Sequence, residues 1–115
     1  ENLKNSRLAI REALKQTKSW PTQTGGALRV AGKYYALINK KELAEKYFTQ
    51  SIAHCEKIGR RYELGKSLYE YGLFLENIGQ KEKARKTLEK AYLLFKEIGA
   101  MLYLKRTAER LGKLS

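Results

Sequence analysis

The side chains of this chain that most suggest catalysis or metal binding are His54 and Cys55. Cysteine–histidine pairs form activated nucleophiles and zinc sites. Adjacent residues of a helix, however, point about 100° apart and do not face each other. The sequence holds one histidine and one cysteine, so a zinc site within the chain would need carboxylates as its remaining ligands. We therefore interpret Cys55 as a core residue and His54 as a surface residue, and we predict no metal site.

The glycines and glutamates do not form a catalytic pattern either. Gly25-Gly26 is not followed by the Gly-Lys-Ser/Thr of a phosphate-binding loop. The glutamates lie among lysines, where exposed ion pairs are the simplest interpretation. We therefore predict that the chain is not an enzyme and uses no cofactor.

The elements that would position any functional side chain are predicted to be helices. Apolar residues recur three and four positions apart, as in Leu64, Leu68 and Leu75, and this spacing marks one face of an α-helix. All 12 acidic residues are glutamate and proline occurs once, and both facts favour helix. The chain of 115 residues is predicted to be one all-α domain with about six helices.

The boundaries of the helices follow from the proline, the glycines and the asparagines. Pro21 should end the first helix near Ser19, and the stretch from Trp20 to Gly26 should be a loop. Asn39 is predicted to close the next helix in the left-handed conformation, and Gly59 is predicted to end the one after it. The predicted helices cover residues 2–18, 27–39, 41–57, 61–78, 81–97 and 101–114.

The core of these helices is predicted from the same periodicity. In the first helix the inward residues are Leu3, Leu8, Ala9, Ala13 and Leu14. In the helix over 41–57 they are Ala44, Phe48, Ile52 and Cys55. Three tyrosines, Tyr35, Tyr71 and Tyr92, are assigned to the core, whereas Tyr34, Tyr69 and Tyr103 are assigned to a groove or a surface.

The chain repeats itself with a period of 40 residues. The recurring positions are Leu28 and Leu68, Gly32 and Gly72, Ala44 and Ala84, Ile58 and Ile98, and Gly59 and Gly99. Gly112 continues the series from Gly72. Self-similarity at a fixed period of this size indicates an array of helical repeats, in which small residues let two helices approach closely.

These positions resemble the tetratricopeptide repeat, whose pattern has a large residue, a glycine, a tyrosine-type residue and a downstream Ala-x3-Phe. The matching residues are Leu68, Tyr71, Gly72, Leu75, Ala84, Leu88 and Ala91, and one repeat earlier Leu28, Ala31, Gly32, Tyr35, Ala44, Phe48 and Ser51. The period of 40 exceeds the family's usual period of about 34, leucine replaces the leading tryptophan, and no proline closes each repeat. Long repeats that end in Ile-Gly resemble those of multidomain prokaryotic signalling ATPases, regulators and cyclases.

The resemblance implies one domain over residues 1–115, an α-solenoid of antiparallel helix hairpins. Its units would be a partial preceding repeat over 1–19, a first repeat over 25–59, a second over 61–99, and the first helix of a truncated repeat over 101–115. Incomplete repeats at both ends would expose Leu104, Ala108 and Leu111. Self-association through such end helices is one alternative function.

In tetratricopeptide arrays the first helix of each hairpin lines a concave groove that receives a peptide. The resemblance therefore implies these peptide-binding residues: Arg29, Lys33, Lys66, Tyr69, Leu73, Asn77, Arg106, Arg110 and Lys113. Some family members clamp a C-terminal carboxylate with Lys and Asn, but Lys33 and Glu70 stand where the clamp has Asn. We therefore predict a protein-interaction scaffold whose basic concave groove binds an acidic or amphipathic peptide or a partner domain, since arginine binds carboxylates through two parallel hydrogen bonds.

The net charge of +12 raises a second alternative, nucleic-acid binding by a positive surface with interleaved tyrosines. Against it, residues 1–57 hold 11 basic and 5 acidic residues and residues 58–115 hold 13 and 7, so the charge is spread evenly. The sequence also contains no nucleic-acid-binding motif.

The expected location is cytoplasmic, with no membrane partner. A single cysteine cannot form an internal disulfide, and no apolar run approaches the roughly 20 residues that span a bilayer. The first residues also lack the apolar region of a signal peptide.

Overall fold

The computed structural model describes Ile10 and residues 21–114. Residues 21–114 form five helices: α1 (Pro21–Leu37), α2 (Lys41–Ile58), α3 (Arg61–Asn77), α4 (Lys81–Ile98) and α5 (Met101–Leu114). No strand occurs among the residues described, so the all-α prediction is confirmed for this part of the chain. The helix predicted over residues 2–18 lies outside the described residues except for Ile10, which is helical.

The turns after α1, α2, α3 and α4 share one geometry. Each contains a residue with positive φ, which is Asn39, Gly59, Gly79 or Gly99. The next backbone N–H then donates to a carbonyl five residues back, as from Lys40 to Tyr35 at 2.8 Å and from Gln80 to Leu75 at 2.9 Å. This bond satisfies a carbonyl that the helix end leaves without a partner. The predicted ends at Asn39 and Gly59 are thereby confirmed within two residues.

The loop predicted over residues 20–26 is wrong from residue 21 onward, because Pro21 to Gly26 belong to α1. Proline fits the first turn of a helix, where its missing N–H costs nothing. Gly25 is buried, and a Cβ there would clash with the Sγ of Cys55. Its carbonyl accepts a hydrogen bond of 2.6 Å from the Oγ of Ser51 on α2. Gly25 is thus required for the close approach of α1 and α2, and not for a turn.

Each helix packs against the next one along the chain, and α1 also contacts α3. Glycines of α1 and α3 set the distance between the paired helices. A Cβ at Gly32 would lie 2.8 Å from the ring of Phe48, and a Cβ at Gly72 would lie 2.6 Å from Leu88. The close approach predicted at both glycines is therefore confirmed. Gly65, which lies 40 residues after Gly25, makes a further such contact, with the ring of Phe95.

Two aromatic positions of α1 differ from the prediction. Tyr34 was assigned to a groove or surface but is 7% exposed, whereas Tyr35, assigned to the core, is half-buried. Tyr34 packs with Ala31 and with Ile10, which the sequence pattern did not place among the inward residues. The physical reason is that α1 is covered on a second side by Ile10, while the prediction considered only the side that meets α2.

The predicted core of α2 is largely confirmed, since Ala44, Phe48 and Cys55 are buried and Ile52 is half-buried. Of the assigned core tyrosines, Tyr71 is buried and Tyr92 is half-buried.

The exposed edge predicted on α5 is right for Ala108 and wrong for Leu104 and Leu111. Leu104 is half-buried because it packs against the cluster of Leu68, Ala91 and Phe95. The large apolar side chains that α5 does expose are Met101 and Leu102 in its first turn. No helix of the described residues combines the length and the apolar character that crossing a membrane requires.

Candidate binding groove

A groove of about 460 Å³ lies between α1 and α3, and we call it the α1–α3 groove. Its lining is mainly apolar, with Leu37 and Ala36 on the α1 side and Leu73 and Phe74 on the α3 side. Leu37 is 78% exposed, although large apolar side chains are usually buried in a folded domain. Leu37 is missing from the predicted site, yet the repeat carries a signal for it, since it lies 40 residues before Asn77.

Three of the predicted site residues line this groove, namely Lys33, Leu73 and Asn77. The Nζ of Lys33 lies 3.5 Å from Oε2 of Glu70, so this ion pair crosses the groove from α1 to α3. The Lys33 side chain is 54% exposed, and the pair is therefore strongly screened by water. The groove thus combines an apolar floor with a charge that a carboxylate of the protein already neutralises.

Two further predicted residues, Arg29 and Lys66, contribute to the packing of the helices. The side chain of Arg29 is 14% exposed and forms a 3.0 Å ion pair with Glu63 of α3. Arg29 also donates a 3.3 Å hydrogen bond to the Oγ of Ser67, which lies 2.7 Å from the Oγ of Ser51. The Nζ of Lys66 lies 3.2 Å from the other oxygen of Glu63. These charges join α1, α2 and α3 and are largely occupied by protein groups.

Burial alone would raise the pKa of Glu63, but the hydrogen bond and charge of Arg29, with those of Lys66, bring it below its ordinary value of 4.5. A group whose pKa is lowered by folding stabilises the folded state above its unfolded pKa. This contribution is lost as the pH falls through the lower, folded pKa.

We expect Glu63→Gln to lower the free energy of unfolding by about 1 kcal/mol at neutral pH, because it weakens two charge-assisted contacts. The difference from the wild type should shrink as the pH is lowered below 4.5, the ordinary pKa of glutamate. Urea denaturation at a series of pH values measures it, with the exposed Glu109→Gln as the control. A difference between wild type and Glu63→Gln that stays constant down to about pH 3 would contradict the assignment.

The remaining predicted residues lie on α3 and α5, and most of them contact the other of these two helices or a ring beside it. Tyr69 packs edge-on against Tyr103 with ring centres 5.7 Å apart, and burial, followed by the charge of Glu70, raises its pKa. The guanidinium of Arg106 lies 5.4 Å from the ring centre of Tyr103. The Nε of Arg110 is 3.8 Å from Oε1 of Glu76, a buried oxygen that accepts no hydrogen bond from the described residues. Lys113 is exposed.

The predicted site therefore does not form one uniformly basic surface. Lys33, Leu73 and Asn77 share a groove, whereas Arg29 and Lys66 form the network around Glu63. Of the predicted arginines, Arg106 lies exposed on α5.

Most of the tyrosines proposed to stack on nucleic-acid bases contact other aromatic rings, although Tyr62 is 44% exposed. Tyr35 stacks on Tyr47 at 5.4 Å between ring centres, and Tyr69 contacts Tyr103. Tyr71 is buried and donates a 2.6 Å hydrogen bond to Glu45. Because stacking requires an accessible ring face, this packing leaves the lysine-rich surface as the main argument for nucleic-acid binding.

The environment of Cys55 and His54 does not favour a catalytic cysteine–histidine pair. Cys55 is buried, as predicted, and burial raises the pKa of its thiol despite hydrogen bonds with Ser67 and Ser51. A thiol with a raised pKa is a poor nucleophile because the thiolate is the reactive form. His54, predicted at the surface, is half-buried. No group of three or more metal-ligating side chains occurs in the part of the chain that the structure describes.

Comparisons of the chain with protein-family models, with curated proteins and with solved structures found no match. The tetratricopeptide resemblance thus remains a hypothesis, which depends on the recurring positions and on the helix contacts.

Proposed function

We propose that this chain is a non-enzymatic protein-interaction module, an α-solenoid of tetratricopeptide type that binds a peptide on its α1–α3–α5 side. The order of helix contacts supports the arrangement, because each helix packs on the next and α1 also meets α3. The two helix pairs are also built alike. Phe48 of α2 lies over Gly32, and Leu88 of α4 lies over Gly72, the same position one period later.

The observation that carries the peptide-binding proposal is the exposure of Leu37 beside Leu73 and Phe74 in the α1–α3 groove. An apolar side chain of a ligand placed there would gain about 1.5–3 kcal/mol from burial. Lys33 is already paired with Glu70, so this groove favours an amphipathic peptide over a strongly acidic one. Acidic residues of the same peptide would reach the exposed Arg106 and Lys113 on α5.

We expect Leu37→Asp to weaken peptide binding about tenfold or more, because it removes apolar area and adds a charge beside the groove. Peptides selected from a displayed random library against the wild-type chain provide the probes, and fluorescence anisotropy measures their affinity. Leu93→Asp is the matched control. It makes the same change at a leucine of α4 that is 64% exposed and does not line the groove.

Selected peptides that bind Leu37→Asp as tightly as wild type would contradict this use of the groove. So would an equal loss of affinity in Leu37→Asp and Leu93→Asp, since that result would reflect the added negative charge alone.

A further inference from the structure

A second groove, of about 370 Å³, lies between α2 and α4, with α3 beneath it. We call it the lysine groove. It uses a different face of α3 from the α1–α3 groove, because Leu68 and Tyr71 line it instead of Leu73 and Phe74. Ile52 of α2 and Leu68 form an apolar floor, and Ile52 is half-buried.

The α4 wall of the lysine groove carries three exposed lysines, Lys83, Lys86 and Lys90. Their spacing of three and four residues places them in one row along the helix. Lys83 has a partner, since its Nζ lies 3.7 Å from Oε2 of Glu45. Among the described residues, no carboxylate lies within ion-pair distance of Lys86 or Lys90.

Glu82 and Glu89 of α4 do not neutralise this row because Arg85 engages both of them. Its Nη1 donates to Oε2 of Glu89 at 3.2 Å, and its Nη2 contacts Glu82. The opposite wall, on α2, presents the exposed Thr49 and Ala53 and one carboxylate, Glu56. The lysine groove is therefore polarised, with an apolar floor, two unneutralised cations on the α4 wall and a single anion on the α2 wall.

We propose that the lysine groove binds a short acidic peptide segment, which inserts an apolar side chain over Ile52 and Leu68 and directs carboxylates to Lys86 and Lys90. Charge complementarity selects the sign of the partner, and the apolar floor requires a side chain that gains by leaving water. A second copy of this chain is a poor occupant, because two molecules of net charge +12 repel each other. The proposal is independent of ligand binding in the α1–α3 groove.

The test uses a fluorescein-labelled peptide in which two leucines are flanked on both sides by glutamates. Its anisotropy is titrated with the full chain at about 150 mM salt, where exposed charges are substantially screened. A peptide with serines in place of the leucines keeps the charge, and one with lysines in place of the glutamates keeps the apolar residues. We expect the peptide with leucines and glutamates to bind. The serine peptide and the lysine peptide should each bind with an affinity at least about tenfold lower.

The double variant Lys86→Glu with Lys90→Glu should weaken binding of the acidic peptide about tenfold or more. The matched control is Lys41→Glu with Lys105→Glu, which changes the net charge equally at two exposed lysines outside the groove. The control should retain wild-type affinity within about twofold. Circular dichroism melting of both variants checks that each remains folded.

Several outcomes would overturn the proposal. If both double variants lose the same affinity for the acidic peptide, the attraction comes from net charge alone. If the serine peptide binds as tightly as the leucine peptide, the apolar floor takes no part in binding. Loss with Leu37→Asp but not with the Lys86 and Lys90 changes would place the peptide in the α1–α3 groove. Binding of a mixed-sequence single-stranded oligonucleotide that requires Lys86 and Lys90, without peptide binding, would identify a nucleic-acid surface instead.

Discussion

Replacing Phe95 by alanine should lower the free energy of unfolding by about 3–5 kcal/mol, because it removes a large side chain from a closely packed interior. Phe95 is fully buried on α4, and its ring stacks on Tyr103 of α5 with centres 5.1 Å apart. The ring also fills the space beside Gly65 of α3, where a Cβ would lie 2.6 Å from it. The alanine variant would thus leave a cavity where α3, α4 and α5 meet.

Urea denaturation followed by circular dichroism measures this loss. Leu93→Ala is the control on the same helix, because Leu93 is 64% exposed and its truncation should change the free energy by less than about 0.5 kcal/mol. A loss below about 1 kcal/mol for Phe95→Ala would mean that the α3–α4–α5 interior is not packed as described. Equal losses for the two variants would lead to the same conclusion.

Two glycine-to-alanine substitutions one repeat period apart should have opposite effects. At Gly72 the added Cβ would lie 2.6 Å from Leu88, and such overpacking costs about 1–3 kcal/mol. At Gly112 of α5 a Cβ would meet no atom within 4 Å. Alanine there should stabilise the helix by about 0.5–1 kcal/mol, since glycine loses more backbone freedom on folding.

We therefore expect Gly72→Ala to destabilise the chain and Gly112→Ala to leave it equally or more stable, both measured by thermal and urea unfolding. Adding Leu88→Ala to Gly72→Ala provides a test of mechanism. The free energy of unfolding of the double variant should fall by less than the sum of the two single decreases. The difference should be about 1 kcal/mol or more, because removing the Leu88 side chain also removes its clash with the added Cβ. Stabilisation by Gly72→Ala, or strict additivity, would refute the close approach of α3 and α4.

The five described helices and the residues that end four of them follow from the sequence because local rules decide them. Apolar residues three and four apart mark a helix wherever its face is buried, and Gly59 and Gly99 take the left-handed conformation without a Cβ penalty. The recurrence of Gly32 as Gly72 also pointed to two of the close helix contacts. These features involve residues near one another in the chain or related by the repeat.

The start of α1 at Pro21 differs from the prediction because glycine serves both in turns and in close contacts between helices. Gly25 resembles a loop residue in sequence, but the Sγ of Cys55, 30 positions later in the chain, requires a residue without a Cβ. Tyr34 is buried by Ile10, a neighbour from a segment distant in sequence. Such partners are brought together by packing between helices, and the periodicity of one helix does not contain them.

The sequence by itself determined the all-α character of the described residues, the turns after α1 to α4, the repeat and the total positive charge. Only the tertiary structure decided which of those charged side chains face a groove and which form ion pairs with neighbouring carboxylates. Arg29 and Lys66 are bound to Glu63, whereas Lys86 and Lys90 remain without a carboxylate partner among the described residues. The physical reason is that ion pairing acts over a few ångströms between different helices, a separation that only their packing sets.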